Sequence, residues 1–344
     1  MVSPTVSTDA VSTAPAAKAA AGRYIVVFEA GVVDAPGLAK RLANAHAAIP
    51  EHVYQRTIRG FSAAMSAQAA NALAANPAVA YVEADQIITL DAKPAKPGKP
   101  GDGGGEDPPP PSQETPWGIT RVGGTRDASG LTATAWVIDS GIDLNHADLN
   151  VDAGRSVSFT RGKKTATDGH GHGTHVAGTI GAINNGIDVV GVAAGVTLVA
   201  VRVLDNSGSG TTSGVIAGIE YVAANAVAGD VANMSLGGGF SQALNDAVTA
   251  AAGGVLFALA AGNESTDAST RSPASAEHPN IYTVSAIGQD DCLASFSNFG
   301  SPVDVAAPGV GVLSTKKGGG TTTFNGTSMA APHVAGLLLL GTLG

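Results

Sequence analysis

From Trp117 onward the chain repeats one pattern, in which nearly unbroken apolar runs alternate with helix-like segments. The runs TATAWVID, VTLVAVRVL, GDVANMSLG, GGVLFALAAGN and NIYTVSAIG lack the polar alternation of a strand that faces water on one side. Such runs need cover on both faces, the situation of parallel strands in an α/β sheet. The segments between them, THVAGTIGAI, SGVIAGIEYVAANAVA and SQALNDAVTAAAG, are long enough and apolar enough to supply that cover as helices. The pattern predicts a parallel sheet with helices on both faces. It also says where to look for chemistry, because in such folds functional groups collect just beyond the carboxyl ends of the strands.

Upstream the composition changes twice. Residues 91–116, DAKPAKPGKPGDGGGEDPPPPSQETP, carry eight of the 18 prolines and almost no apolar side chain, so this stretch is expected to be an extended linker outside any core. Residues 23–90 read as a separate small unit. RYIVVF is strand-like, 36–48 helical, VYQRTIRGFSAAM strand-like with a glycine break, SAQAANALAANP helical up to Pro77, and VAYVEADQIITL strand-like. The order β-α-β-β-α-β is that of a ferredoxin-like α+β sandwich. Residues 1–22, rich in Ala, Ser, Thr and Pro, are expected to form a disordered tail. They lack the apolar stretch of a secretion signal. The expected division is therefore 1–22, 23–90, 91–116 and 117–344.

Bulk properties narrow the function. A net charge of −9 argues against a general affinity for nucleic acid or anionic membrane, and no apolar run reaches the ~18 residues of a membrane span. Cys292 is the single cysteine, which leaves no internal disulfide and no cysteine-based zinc site; it is expected to be a buried or half-buried structural thiol.

In the stretch FNGTSMAAPHVA, Ser328 stands among small residues at the start of an apolar helix-forming run. It is either a helix cap or a nucleophile presented at a helix mouth. A nucleophile needs a base and an orienting carboxylate. WVIDSGID places Asp139 at a strand end followed by a Ser-Gly turn. DGHGHGTHVAG offers His170, His172 and His175, which read equally as a short metal cluster or as a helix entry with His172 at its mouth. Chain order separates these readings: Asp139, His172, Ser328 is the triad order of subtilisins, distinct from that of chymotrypsin and of the α/β-hydrolases.

The motifs VIDSGID, GHGTHVAGT, NMSLGGG, AAGNE and NGTSMAAPHVAG, in this order from Trp117 to the end, resemble those of subtilisin-like serine endopeptidases, nearest the proteinase K branch. The resemblance implies Ser328 as nucleophile, His172 as general base and acid, Asp139 as its orienting carboxylate, and Asn263 as oxyanion donor. It also implies two substrate-binding edges, Gly208–Ser209–Gly210 and Ser235–Leu236–Gly237. A primary pocket would be lined by Ala260, Ala261 and Gly262. Thr212 stands where related enzymes often place an aromatic wall for the fourth substrate residue, so no strong aromatic preference is expected there. Catalysis needs no cofactor, while Pro279, Ile281 and Asp304 match positions that hold a structural calcium.

The resemblance casts residues 23–90 as an inhibitory propeptide that assists folding and fills the cleft until self-cleavage between Leu90 and Ala92. The implied protein is a secreted, monomeric, broad-specificity endopeptidase made as a self-inhibited precursor. Because the chain ends 16 residues past Ser328, the run HVAGLLLL is expected to lie exposed, as in a piece of a longer enzyme. That expectation keeps a second class open, a non-catalytic binding or inhibitory relative, with a histidine-metal hydrolase behind it.

Overall fold

The computed structural model describes residues 19–90, 93–94, 112–162 and 165–343. The first unit contains β1 (Ala19–Phe28), α1 (Ala35–Ala45), β2 (Pro50–Tyr54), β3 (Gly60–Ala64), α2 (Ala67–Ala74) and β4 (Val79–Thr89). Its strands lie in the order β4-β1-β3-β2, all pairs antiparallel, which is the ferredoxin-like arrangement expected from the sequence. Both helices start at side-chain caps, Asp34 accepting from Gly37 N and Ser66 from Ala69 N. Alternation along β1 divides the sheet's two faces. Val26 and Phe28 pack inward with Ala39, Phe61 and Leu73, whereas Ile25 and Val27 join the core of the second unit. This small sheet is therefore covered by its own helices on one side and by the larger unit on the other.

The second unit is built on seven parallel strands. These are β5 (Thr134–Asp139), β6 (Val157–Ser158), β7 (Thr197–Arg202), β9 (Val231–Met234), β10 (Leu256–Ala260), β11 (Ile281–Ile287) and β12 (Val305–Pro308); the short β8 (Ser209–Thr211) lies outside this sheet. The order across the sheet is β12-β11-β10-β9-β5-β7-β6. Four helices matter for the site: α3 (His172–Gly181), α4 (Thr212–Asn225), α5 (Gln242–Ala251) and α6 (Thr327–Leu339). The apolar runs divide by parity, as strands buried on both faces must. Trp136, Ile138, Val199 and Val201 face α4 and α5, while Ala135, Val137, Leu198 and Ala200 face α3 and α6.

Several expectations are corrected. Residues 19–22, assigned to a disordered tail, extend β1, because the long β4 offers pairing out to Ala19↔Gln86. At the end of the expected linker, Glu114 N donates to Asp188 O and Gln113 is anchored to the loop 183–189; Lys93–Pro94 pairs with the strand Thr321–Asn325. The glycine-rich residues 102–106 lie outside the described residues. Cys292 is exposed, on a turn where Asp290 accepts from its backbone N–H, so it takes no part in packing. The run HVAGLLLL is buried except for Leu337 and Leu340, which are half-buried. Its cover comes from segments earlier in the chain: a Cβ on Gly336 would fall 2.5 Å from Val192, and one on Gly118 would fall 2.4 Å from His333.

Candidate active site

Asp139 ends β5 and is fully buried. Both of its carboxylate oxygens lie against His172 Nδ1, at 2.9 and 3.0 Å, and Oδ1 also accepts from Ser140 N at 2.6 Å. These bonds hold the proton on Nδ1 and leave Nε2 as the free acceptor. Nε2 is buried and has no hydrogen-bond partner. An imidazole nitrogen kept dry and unpaired costs stability unless something is meant to meet it.

Ser328 is the second residue of α6. Gly326 caps this helix without a side-chain hydrogen bond, at φ 151°, a conformation that favours glycine. The reading of Ser328 as the helix cap is thus not the one the structure adopts. Ser328 Oγ donates to Ser235 O at 3.0 Å, and Ser235 Oγ donates to Ser328 O at 2.7 Å, so Ser235 holds the helix mouth at the end of β9. Asn263 follows β10, its Oδ1 accepting from Thr327 N at 2.8 Å and from Thr327 Oγ1 at 3.1 Å. That fixes the amide and leaves Nδ2 available. A Cβ placed on Gly326 would lie 3.5 Å from Asn263 Nδ2 and 3.6 Å from Ser328 N, so both N–H donors border one small space.

The three histidines of DGHGHGTH do not converge. His170 is exposed, while His175 is fully buried with Nε2 on Val312 O and its ring stacked on Phe324. Burial pushes the His175 pKa down to about 3, so it stays neutral. No group of three or more metal-binding side chains occurs among the described residues.

The end of the small unit lies in this site. β8 adds to β4 as a fifth antiparallel strand, pairing Ser209↔Thr89, Gly210↔Ile88 and Thr211↔Ile87, and Leu90 N donates to Gly208 O at 3.0 Å. Leu90 enters a pocket lined by Leu236, Gly237, Ala260, Ala261, Gly262 and Asn263, among others. Gly262 is required there: a Cβ would fall 2.3 Å from Asn298 Nδ2, and φ is 102°. Thr212 is buried at the start of α4; the cavity beside Ile87 is lined instead by Thr211 and Gly214, with an aromatic ring from Phe159.

Carboxylates fasten the small unit to the two helices below it. Asp85, fully buried, accepts from Ser213 N and Oγ in the first turn of α4 and from Arg23 Nε. Glu83 accepts from Ala243 N in the first turn of α5. Glu220, on α4, accepts from three successive backbone N–H groups, those of Gln55, Arg56 and Thr57. Negative charge at a helix N-terminus is favourable, so Asp85 and Glu83 complete helices that belong to the other unit. None of these partners was foreseen, since nothing local in EADQ or AGIEY marks a carboxylate that reaches across about 130–160 residues.

Two places could hold a cation. Pro279, Ile281 and Asp304 line one surface cavity with Glu277, which brings a second carboxylate to the set. The other place was not legible in the sequence. The side-chain nitrogen of Gln113 lies 2.6, 3.2 and 2.9 Å from the carbonyl oxygens of Ile183, Ile187 and Val189. Beside them, Asp148 is fully buried with Oδ1 unpaired, and burial raises its pKa to about 7. Three converging carbonyls and the unpaired carboxylate oxygen of Asp148 are hard oxygen donors, and half a turn of the Gln113 amide would add a further one.

A buried Asp-His pair at strand and helix ends, a serine at a helix mouth and an asparagine amide beside it define a serine-type peptidase. Comparisons with known proteins agree. The model described as "Subtilase family" matches residues 134–341, and that described as "Peptidase inhibitor I9" matches 23–91. The chain is 41% identical over 303 residues to the "Subtilisin-like serine protease AsES" of Sarocladium strictum, covering 84% of this chain and 71% of that protein. It is 40% identical over 313 residues to the "Alkaline serine protease ver112" of Corniculantispora psalliotae, covering 86% and 75%. A solved "cold adapted subtilisin-like serine proteinase" superposes with a TM-score of 0.57 at 49% identity, covering 63% of this chain and 77% of that one. The chain belongs to the subtilase family and is a serine protease carrying its own inhibitor-type propeptide.

Proposed function

We propose that this chain is the self-cleaving precursor of an endopeptidase in which Ser328, His172, Asp139 and Asn263 act on the Leu90–Asp91 bond. The observation that carries this reading is the pairing of Ile87–Thr89 with Ser209–Thr211, which seats Leu90 beside Asn263 as a substrate residue would sit. Ser328 Oγ turns from Ser235 O toward the unpaired Nε2 of His172, gives up its proton there and attacks the Leu90 carbonyl carbon. The developing oxyanion is met by Asn263 Nδ2 and Ser328 N, a class of interaction worth about 3–4 kcal/mol per donor. The C–N bond then breaks, Nε2 returns the proton to the leaving nitrogen, and water, deprotonated by the same imidazole, releases the acyl group. Asp139 stabilises the imidazolium throughout.

Recognition through backbone hydrogen bonds supports broad specificity for extended peptides, with an apolar residue in the primary pocket. After cleavage, residues 19–90 remain as an inhibitor held by the Asp85, Glu83 and Glu220 contacts. Membership of this family, with an inhibitor that keeps the protease silent, supports action outside the cell. Protein left to mature at neutral pH is expected to acquire Asp91 as its first N-terminal residue, before any trimming toward Trp117. N-terminal sequencing checks this; a first cut upstream of Tyr81, or downstream of Pro116 with Leu90–Asp91 intact, would contradict it.

We also propose calcium as a structural ion, held by Gln113, Asp148 and the carbonyls of Ile183, Ile187 and Val189, and in the Asp304 cavity. The unpaired Asp148 Oδ1 supports the first of these sites. A ligand at a hundredfold excess over its Kd adds about 2.7 kcal/mol, or roughly 5–10 °C in Tm for a domain of this size. Chelation should lower the Tm by about that amount, calcium should restore it, and Asp148→Asn should remove most of the response. A Tm indifferent to chelator would exclude both sites.

A further inference from the structure

The pocket that receives Leu90 contains a charged pair that nothing in the peptidase reaction requires. Arg271 and Glu264 both line it, with Arg271 Nη1 3.5 Å from Glu264 Oε1 and side-chain exposures of 19% and 29%. The placement of Glu264 is built in. Its carboxylate folds back over Gly262, where a Cβ would fall 2.7 Å from Oε2, and Oε2 accepts from Asn298 Nδ2 at 2.7 Å. Asn298 is itself fully buried, donates to Ala261 O and accepts from Glu264 N and Thr266 N, so it locks the carboxylate to the pocket wall. Arg271 reaches the same pocket from the short strand Arg271–Ser272, which is paired to Gly238–Gly239. With Leu90 seated, the free space left in the pocket is about 20 Å³, close to a single water.

We propose that Arg271 sets the primary specificity of the enzyme, and this rests on the reading of Leu90 as the residue before the cut bond. Arg271 does two things at once. Its side chain occupies depth that Ala260, Ala261 and Gly262 would otherwise leave open, which limits the pocket to residues of leucine or methionine size. Its charge cancels that of Glu264, which would otherwise attract a lysine or arginine side chain of the substrate. Neither half of the pair can be removed silently, because the remaining partner is partly shielded from water and seeks a counter-ion. The enzyme therefore carries a latent basic specificity beneath an apolar one, held in check by one guanidinium.

The test uses matured enzyme from the full chain and four peptide anilides, Ile-Ile-Thr-X, with X as Leu, Phe, Lys or Glu. The amount of competent enzyme is fixed by covalent titration with a serine-directed phosphonate. Wild type should prefer Leu to the other three. Arg271→Ala should raise the Lys/Leu ratio of kcat/KM by about tenfold and the Phe/Leu ratio by about fivefold. Adding Glu264→Gln to Arg271→Ala should abolish the Lys gain and keep the Phe gain. Glu264→Gln alone should raise the Glu/Leu ratio, because it leaves Arg271 uncompensated. Ratios within about twofold of wild type in Arg271→Ala would overturn the proposal. If that variant yields no titratable enzyme, an unchanged Glu/Leu ratio in Glu264→Gln overturns it instead. A wild-type protein that cleaves none of the four peptides would sink the underlying assignment of Leu90, an outcome separate from either of these.

Discussion

Replacing Ser328 with alanine is expected to abolish peptide hydrolysis, by about 10⁶-fold in kcat, and to leave the precursor joined at Leu90–Asp91. The size of the effect follows from what remains. Asn263 and the N–H of residue 328 would still bind an oxyanion, but no oxygen would be in place to create one. The fold should persist, because Ser328 Oγ makes a single bond to Ser235 O and the helix is anchored by Met329, Val334 and Leu338 in the core. Side-chain loss without a cavity at a helix mouth is a small perturbation. Intact mass after prolonged incubation reports self-cleavage, and a thermal melt reports the fold. A variant that still processes itself in the absence of other proteases would refute the nucleophile.

Asp139→Asn is expected to be almost as damaging, by about 10⁴-fold in kcat, without loss of fold or substrate binding. Asp139 Oδ1 accepts from Ser140 N at 2.6 Å, so an asparagine would keep its oxygen there and turn its NH₂ toward His172 Nδ1. His172 would then accept at Nδ1 and carry its proton on Nε2, the nitrogen that must receive the proton of Ser328. The base is present but in the wrong tautomer. Because this variant should not mature unaided, it is best processed with a trace of wild-type enzyme that is removed afterwards. Steady-state kinetics should then show kcat lowered with KM little changed. Near-wild-type kcat would mean that Asp139 does not orient His172.

The architecture was legible in the sequence because burial on both faces writes itself into unbroken apolar runs such as TATAWVID, and sheet cover into the helical segments between them. Asp139, His172 and Ser328 could be singled out because each stands at a strand or helix end within a compact motif, and because their order along the chain is that of subtilisins. What remained hidden depends on contacts between distant parts of the chain. Asp85 and Glu220 look like ordinary surface charges until Ser213 and the backbone of residues 55–57 are brought against them. Asp148 gives no local sign that it will meet the carbonyls of residues 183–189. The α6 run looked uncovered because its cover, around Gly118 and Val192, comes from earlier in the chain. Arg271 and Glu264 are seven residues apart, one on a short strand and the other in the loop before a single 3-10 turn, with no periodicity to pair them.

The central claim is that Ser328 is an activated nucleophile, masked by residues 19–90 until the chain is cut and the inhibitor leaves. Covalent labelling with a fluorescent phosphonate, followed by peptide mapping, tests it most directly. The matured enzyme should take up one label, on Ser328, while Ser328→Ala takes up none and enzyme still holding its propeptide reacts slowly. Stoichiometric labelling of the alanine variant, or a label on any other serine, would contradict the account.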